Sequence, residues 1–145
     1  MFLNTQIISN NYYKKDVLRL DKKNLWLILG AFNAAFAVLA GAYGAHLIDV
    51  GHPDSAILLT FQKAVRYQMY HAFALIIVAL LANTIKLKMV DISGWLFLSG
   101  IILFSGSLYF IVFTGIQWIE FLAPIGGFAF TFGWLGLMYV GFKNK

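Results

Sequence analysis

Two histidines lie where the chain passes between polar and apolar sequence. His71 falls in "YQMYHAF", which opens onto a long apolar run, and His46 closes an earlier run. A four-residue spacing places Lys63, Tyr67 and His71 on one helical stripe, beside a second stripe of Gln62, Arg66 and Tyr70. If the two runs are antiparallel neighbouring helices, the histidines lie at similar depth and can meet. We predict a polar cluster at the outer end of a helical bundle, formed by His46, Arg66, Tyr67, Gln68, Tyr70, His71 and Glu120.

Three interpretations of this cluster are open, in descending order of preference. The first is structural hydrogen bonding, with Arg66 reaching the interface or pairing with Glu120 or Asp49. The second is binding of a proton, ion or small ligand, because histidine titrates near neutrality and intramembrane ionisable groups often mark pathways. The third is metal-dependent or general-base catalysis, which two histidines without a carboxylate at helical spacing support only weakly. The sequence contains no Walker, Rossmann or HExxH pattern, and we predict no catalytic residue, no metal site and no cofactor.

The composition places these residues in a membrane. Hydrophobic residues make up 61% of the 145 residues and charged residues 12%, about half the charge of an ordinary soluble domain. Such a chain has no room for a large soluble catalytic domain, and we expect no nucleic-acid partner. The absence of cysteine excludes disulfides and thiolate metal ligands.

Four apolar segments are predicted to span the bilayer as helices. The shortest stretch without Asp, Glu, Lys or Arg, residues 67–85, is about 28 Å long as a helix, close to the roughly 30 Å of the hydrocarbon core. Open strands would leave backbone groups unsatisfied in lipid. We therefore predict an all-α integral membrane four-helix bundle, with spans over residues 25–48, 67–85, 92–116 and 121–142. Asn33 lies deep in the first span, where we expect an interhelical hydrogen bond.

Two further segments flank or connect the spans. Apolar residues recur at helical spacing between Ile57 and Val65, and Pro53 suits a first helical position. We predict an amphipathic interfacial helix over residues 53–66 that continues into the second span. Residues 1–23 form a basic polar arm that we expect to be poorly ordered, and residues 24–145 form the four-span domain. Initiation at Leu20 is expected to yield a complete membrane domain.

The basic residues orient the bundle. The arm holds five lysines and arginines, and the connection between spans two and three and the C-terminal tail hold two each. The connection between spans one and two holds only Lys63 and Arg66. The positive-inside rule therefore predicts a protein of the cytoplasmic membrane with both termini in the cytoplasm.

Small residues recur at steps of three and four along the spans. In lipid, such residues let helix backbones approach closely, and this is how helices associate there. The bilayer is the expected surrounding, and a homo-oligomer or a membrane-protein partner is compatible with these faces. The residues predicted to pack helices are Gly30, Ala34, Ala37, Gly41, Gly100, Ser107 and Gly133.

Four short motifs, in order, carry a resemblance to a known family. They are "GAYGAH" from Gly41, "YQMYHAFAL" from Tyr67, "LFSGSLY" from Leu103, and "PIGG" from Pro124 followed by "GW". Together they resemble the uncharacterised protein family 0382, also called domain of unknown function 423, to which animal transmembrane protein 256 is related. The resemblance covers Asn24 to the C-terminus and implies a small multi-pass membrane protein.

The family motifs include several residues of the predicted cluster and assign none of them a catalytic role. This sequence departs from the family pattern at Tyr43, where phenylalanine is usual, and at Leu47, where glycine follows the histidine. We predict a structural or interaction role in the membrane. The alternative is a small transporter or an ion- or ligand-binding protein that uses the outer cluster. The motif residues are His46, Tyr67, Gln68, Tyr70, His71, Ser105, Gly106, Ser107 and Pro124.

Overall fold

The computed structural model describes residues 22–48 and 56–144. Most of the predicted arm and Pro53 lie outside these ranges. The helices are α1 (Lys22–Tyr43), α2 (Ala56–Thr84), α3 (Lys88–Gly100), α4 (Ser107–Thr114) and α5 (Leu122–Lys143). π-helical turns follow α1 (Gly44–Ile48) and join α3 to α4 (Ile101–Gly106), and a 3-10 turn (Trp118–Phe121) leads into α5.

Within the described ranges, four continuous helical segments are long and apolar enough to cross a membrane. The prediction of an all-α four-helix membrane protein is confirmed. The third span consists of α3, the π-helical segment and α4, and it ends at Gly115, whose φ of 71° is a left-handed conformation that glycine adopts readily. The spans are Asn24–His46, Ala56–Thr84, Lys88–Thr114 and Trp118–Lys143.

The second span begins earlier than the sequence suggested. α2 runs unbroken from Ala56, so residues 56–66, which we predicted as an interfacial helix that continues into the second span, form one continuous helix with that span. Phe61 and Ala64 on this segment are buried, and the Phe61 ring packs against Tyr109 and Phe113 of the third span. The amphipathic pattern arises because one face of the helix packs inside the bundle.

Spans one and two are antiparallel neighbours in close contact. A Cβ atom added to Gly30 would lie 2.8 Å from Ile76 Cγ1, and one added to Gly44 would lie 2.8 Å from the Phe61 ring. Gly41 lies between these two points and faces Val65. Glycine at these positions lets the two helix backbones approach.

Spans three and four interlock through glycines that receive phenylalanine rings. A Cβ atom on Gly133 would lie 2.6 Å from the Phe97 ring, and Gly100 faces the Phe130 ring in the reverse arrangement. Further along, Gly126 faces Phe104. Residue numbers rise on one helix as they fall on the other, so these spans are antiparallel. Each ring fills the space that a glycine leaves open, which places Phe97 and Phe130 in the core.

Candidate functional site

A chain of polar side chains connects three spans inside the bundle. The Tyr109 hydroxyl donates to Gln68 Oε1 at 2.8 Å, and Gln68 Nε2 donates to Asn33 Oδ1 at 3.0 Å. Asn33 Nδ2 in turn donates to the backbone oxygen of Leu29 at 2.8 Å. Gln68 and Asn33 are 6% and 7% exposed. The interhelical hydrogen bond expected for Asn33 is confirmed.

The direction of this chain is fixed at its end. A backbone carbonyl only accepts hydrogen bonds, so Leu29 requires the amide nitrogen of Asn33 to point towards it. Asn33 then presents its oxygen to Gln68, and Gln68 presents its oxygen to the Tyr109 hydroxyl. Flipping either amide would set like groups against each other, so the arrangement has one favoured orientation.

His71 joins the second span to the fourth. Its Nδ1 lies 2.8 Å from the backbone oxygen of Tyr67, and Trp134 Nε1 lies 3.3 Å from its Nε2. The carbonyl can only accept and the indole N–H can only donate. The neutral tautomer with hydrogen on Nδ1 therefore satisfies both contacts, and a proton added to Nε2 would face the indole N–H.

Aromatic rings surround His71. Its ring is stacked on Phe130 with centroids 3.4 Å apart and an interplanar angle of 7°. Tyr67, one turn earlier on α2, is partly exposed and its ring lies 4.6 Å from that of Phe104. The imidazole is 4% exposed and has a ring over its face as well as partners at both nitrogens. This environment suits a packed structural histidine.

The structure separates His46 from His71. His46 is exposed and belongs to the π-helical turn that begins at Gly44, which lies against Phe61. His71 is ten residues beyond Phe61 on α2, about 15 Å further along the helix axis. We expected the histidines to meet because we took span two to begin at residue 67, whereas it begins at Ala56.

The other predicted cluster residues divide between the core and the surface. Gln68 is in the core, whereas Arg66 and Tyr70 are exposed on α2 and Glu120 is exposed in the 3-10 turn before α5. Among the described residues, no group of three potential metal-ligating side chains occurs. Within the bundle Gln68 and His71 are hydrogen-bonded to other spans, whereas the buried hydroxyls of Ser93 and Ser105 have no hydrogen-bond partner.

The residues predicted to pack helices differ in how closely they contact a neighbouring helix and in how deeply they are buried. Gly30, Gly100 and Gly133 lie at the close helix contacts described above. Ala37 and Ser107 are buried, and the Ser107 hydroxyl donates to the backbone oxygen of Phe104 at 2.9 Å. Gly41 faces Val65, and Ala34 is half-buried.

A contact that was not predicted from the sequence ties spans one and three at the end of the bundle where α1 begins and α5 ends. Trp26 is 1% exposed, and its Nε1 donates to Asp91 Oδ1 at 3.1 Å. The indole lies over Gly94 and meets Trp95 edge to face at 5.1 Å. The sequence feature that could have indicated this contact is Asp91, a carboxylate in the first turn of a helix.

Comparisons with known proteins agree with the architecture. The model of the family described as "Protein of unknown function (DUF423)" matches residues 40–127. A UPF0382 membrane protein of Staphylococcus aureus is 44% identical over 119 residues, which cover 82% of this chain and 96% of that protein. The UPF0382 membrane protein YwdK of Bacillus subtilis is 41% identical over 120 residues, which cover 82% and 97%. No solved structure matches the chain.

Proposed function

Because this chain belongs to the DUF423 family, whose relatives are named membrane proteins, we propose that it has a structural or interaction role in the cytoplasmic membrane. The observation that carries the proposal is the set of hydrogen bonds that join the spans through polar side chains. Gln68 bonds to both Asn33 and Tyr109, and both nitrogens of His71 have partners. Interhelical hydrogen bonds of this kind stabilise helix association in lipid.

The alternative function is transport, and a measurement of proton flux distinguishes it from a structural or interaction role. Purified protein is reconstituted into vesicles that contain a pH-sensitive dye, and a proton gradient is imposed with potassium and valinomycin. We expect the gradient to decay at the rate of protein-free vesicles. Faster decay that the Gln68→Leu variant abolishes would contradict the proposal and favour a conduction pathway through the bundle.

An interaction role also requires a partner, and a second copy of the chain is the simplest one. Span one has only one side packed in the bundle, and Ala35 on its outer face is exposed. The sequence contains no cysteine, so single cysteines report contacts cleanly. We expect Ala35→Cys to form a disulfide-linked dimer in oxidised membranes, whereas Phe128→Cys on the exposed face of α5 remains monomeric. Monomers from both variants would leave another membrane protein as the partner.

We further propose that both termini face the cytoplasm, on the distribution of lysine and arginine. Alkaline phosphatase, which is active only outside the cytoplasm, is fused after Lys145 and, in a second fusion, within the connection that follows Thr114. Activity is expected from the second fusion alone. Activity from the C-terminal fusion would reverse the orientation.

A further inference from the structure

A groove opens between spans one and two at the end of the bundle where α1 ends and α2 begins. It has a volume of about 260 Å³. Gly44 and Phe61 hold the two helices in contact there, and the absence of side chains on the glycines leaves the groove open beside them. Most of its wall is apolar, with two polar side chains along α2. It is lined by Gly41, Gly44, Ala45, Phe61, Gln62, Val65 and Arg66.

Arg66 brings a positive charge into this apolar surrounding. It lies ten residues after Ala56, about 15 Å along α2, beside Val65, which faces Gly41 of span one. A cation at such a position in a membrane helix is costly unless a counter-charge reaches it. The long side chain can extend its guanidinium towards the interface while its methylene groups cover the groove wall.

The described part of the protein supplies no counter-charge for Arg66. It contains two carboxylates, Asp91 and Glu120. Asp91 lies at the opposite end of the third span, where it accepts the hydrogen bond from Trp26. Glu120 is exposed in the turn before α5, and no ion pair joins it to Arg66 within the described residues. No carboxylate of the described ranges is therefore placed to pair with Arg66, and an anionic lipid headgroup can supply the counter-charge.

We propose that the groove binds an anionic phospholipid, with its phosphate on Arg66 and an acyl chain along the apolar wall. A guanidinium matches phosphate geometry with paired hydrogen bonds, and Gln62 adds a neutral polar group beside it. A second copy of the chain is a poorer occupant, because a symmetric contact would bring Arg66 and Lys63 of both copies together. The proposal goes beyond the structural role above and does not depend on which side of the membrane the groove faces.

The test is native mass spectrometry of the full chain in detergent, with dioleoyl phosphatidylglycerol or dioleoyl phosphatidylcholine added at equal concentration. The wild type is expected to retain one phosphatidylglycerol at least tenfold more often than phosphatidylcholine. Arg66→Gln removes the phosphate partner and Ala45→Phe fills the apolar part of the groove, so each is expected to lower phosphatidylglycerol retention about tenfold. Lys63→Gln is the matched control, since it removes an exposed charge outside the groove lining and is expected to change retention less than twofold.

Three outcomes would overturn the proposal. Equal losses from Arg66→Gln and Lys63→Gln would reduce the effect to general charge attraction. Unchanged retention by Ala45→Phe would place the lipid outside the groove. A dimer without lipid that Ala45→Phe dissociates would make the groove an interface between copies. Each variant is first checked for wild-type melting in detergent, and Ala45→Leu replaces Ala45→Phe if the larger side chain prevents folding.

Discussion

Replacing Gln68 by leucine removes the centre of the polar chain while keeping a side chain of similar volume. The change deletes the bond to Asn33 at 3.0 Å and the bond from Tyr109 at 2.8 Å. Interhelical hydrogen bonds in membrane proteins average about 0.6 kcal/mol each and reach about 1.7 kcal/mol. We therefore expect Gln68→Leu to lower the free energy of unfolding by about 1.2 kcal/mol. The measurement is unfolding in mixed micelles of increasing sodium dodecyl sulfate content, followed by circular dichroism.

A control variant and a double-mutant cycle test whether the expected loss comes from the hydrogen bonds of Gln68. Gln62→Leu makes the same chemical change on the exposed side of the same helix and is expected to leave the unfolding free energy within about 0.5 kcal/mol of wild type. Tyr109→Phe removes one of the two bonds and is expected to cost about 0.6 kcal/mol. The double variant of Gln68 and Tyr109 should cost no more than Gln68→Leu alone, because the shared bond is already lost. A double variant whose cost is the sum of the two single costs would refute the network.

Two further stability predictions use the same unfolding assay. Gly133→Ala is expected to destabilise the protein by about 1–3 kcal/mol, since the added Cβ atom would lie 2.6 Å from the Phe97 ring. Gly127→Ala is the control and should be neutral or slightly stabilising, because a Cβ atom there would have nothing within 4 Å. Equal effects of the two substitutions would show that the close contact does not constrain the helices. His71→Phe is expected to lower the free energy of unfolding by about 1 kcal/mol through loss of its hydrogen bonds. Combining it with His46→Phe should lower that free energy by the sum of the two single effects, because the structure separates the two histidines. A double variant whose effect differs from the sum would place the histidines in one site.

The number and approximate extent of the spans could be predicted because the bilayer imposes a length and an apolar composition on each helix. The packing of the first turns of α2 inside the bundle could not be predicted, because these turns bury one face and leave polar residues on the other. That pattern is also the one expected of an interfacial helix. Phe61 decides between the two only through its contacts with Tyr109 and Phe113, which are distant in sequence.

Two residues of the predicted cluster, Gln68 and His71, make hydrogen bonds to other spans, but their partners could not be named from the sequence. The sequence singled out Gln68 and His71 as polar residues in an apolar setting, and that argument needed no fold. Naming Tyr109 and Trp134 as their partners required the register of the third and fourth spans against α2, which depends on where each span begins. Placing the start of span two at residue 67 instead of at Ala56, an error of eleven residues or about 16 Å of helix, supplied His46 as a false partner for His71.

The positions of Gln68 and His71 on α2 explain how the four spans are held in one arrangement. Three residues apart on a helix, they point about 60° from each other, so one side chain faces spans one and three and the other faces span four. Each of the other spans thus makes a directed side-chain hydrogen bond to α2 near the middle of the bundle. Apolar packing alone tolerates sliding and rotation of helices in lipid, because lipid tails are as apolar as the helix surfaces. A hydrogen bond requires its donor and acceptor to lie about 3 Å apart and is broken by such sliding or rotation. These bonds therefore fix the register of every span against α2.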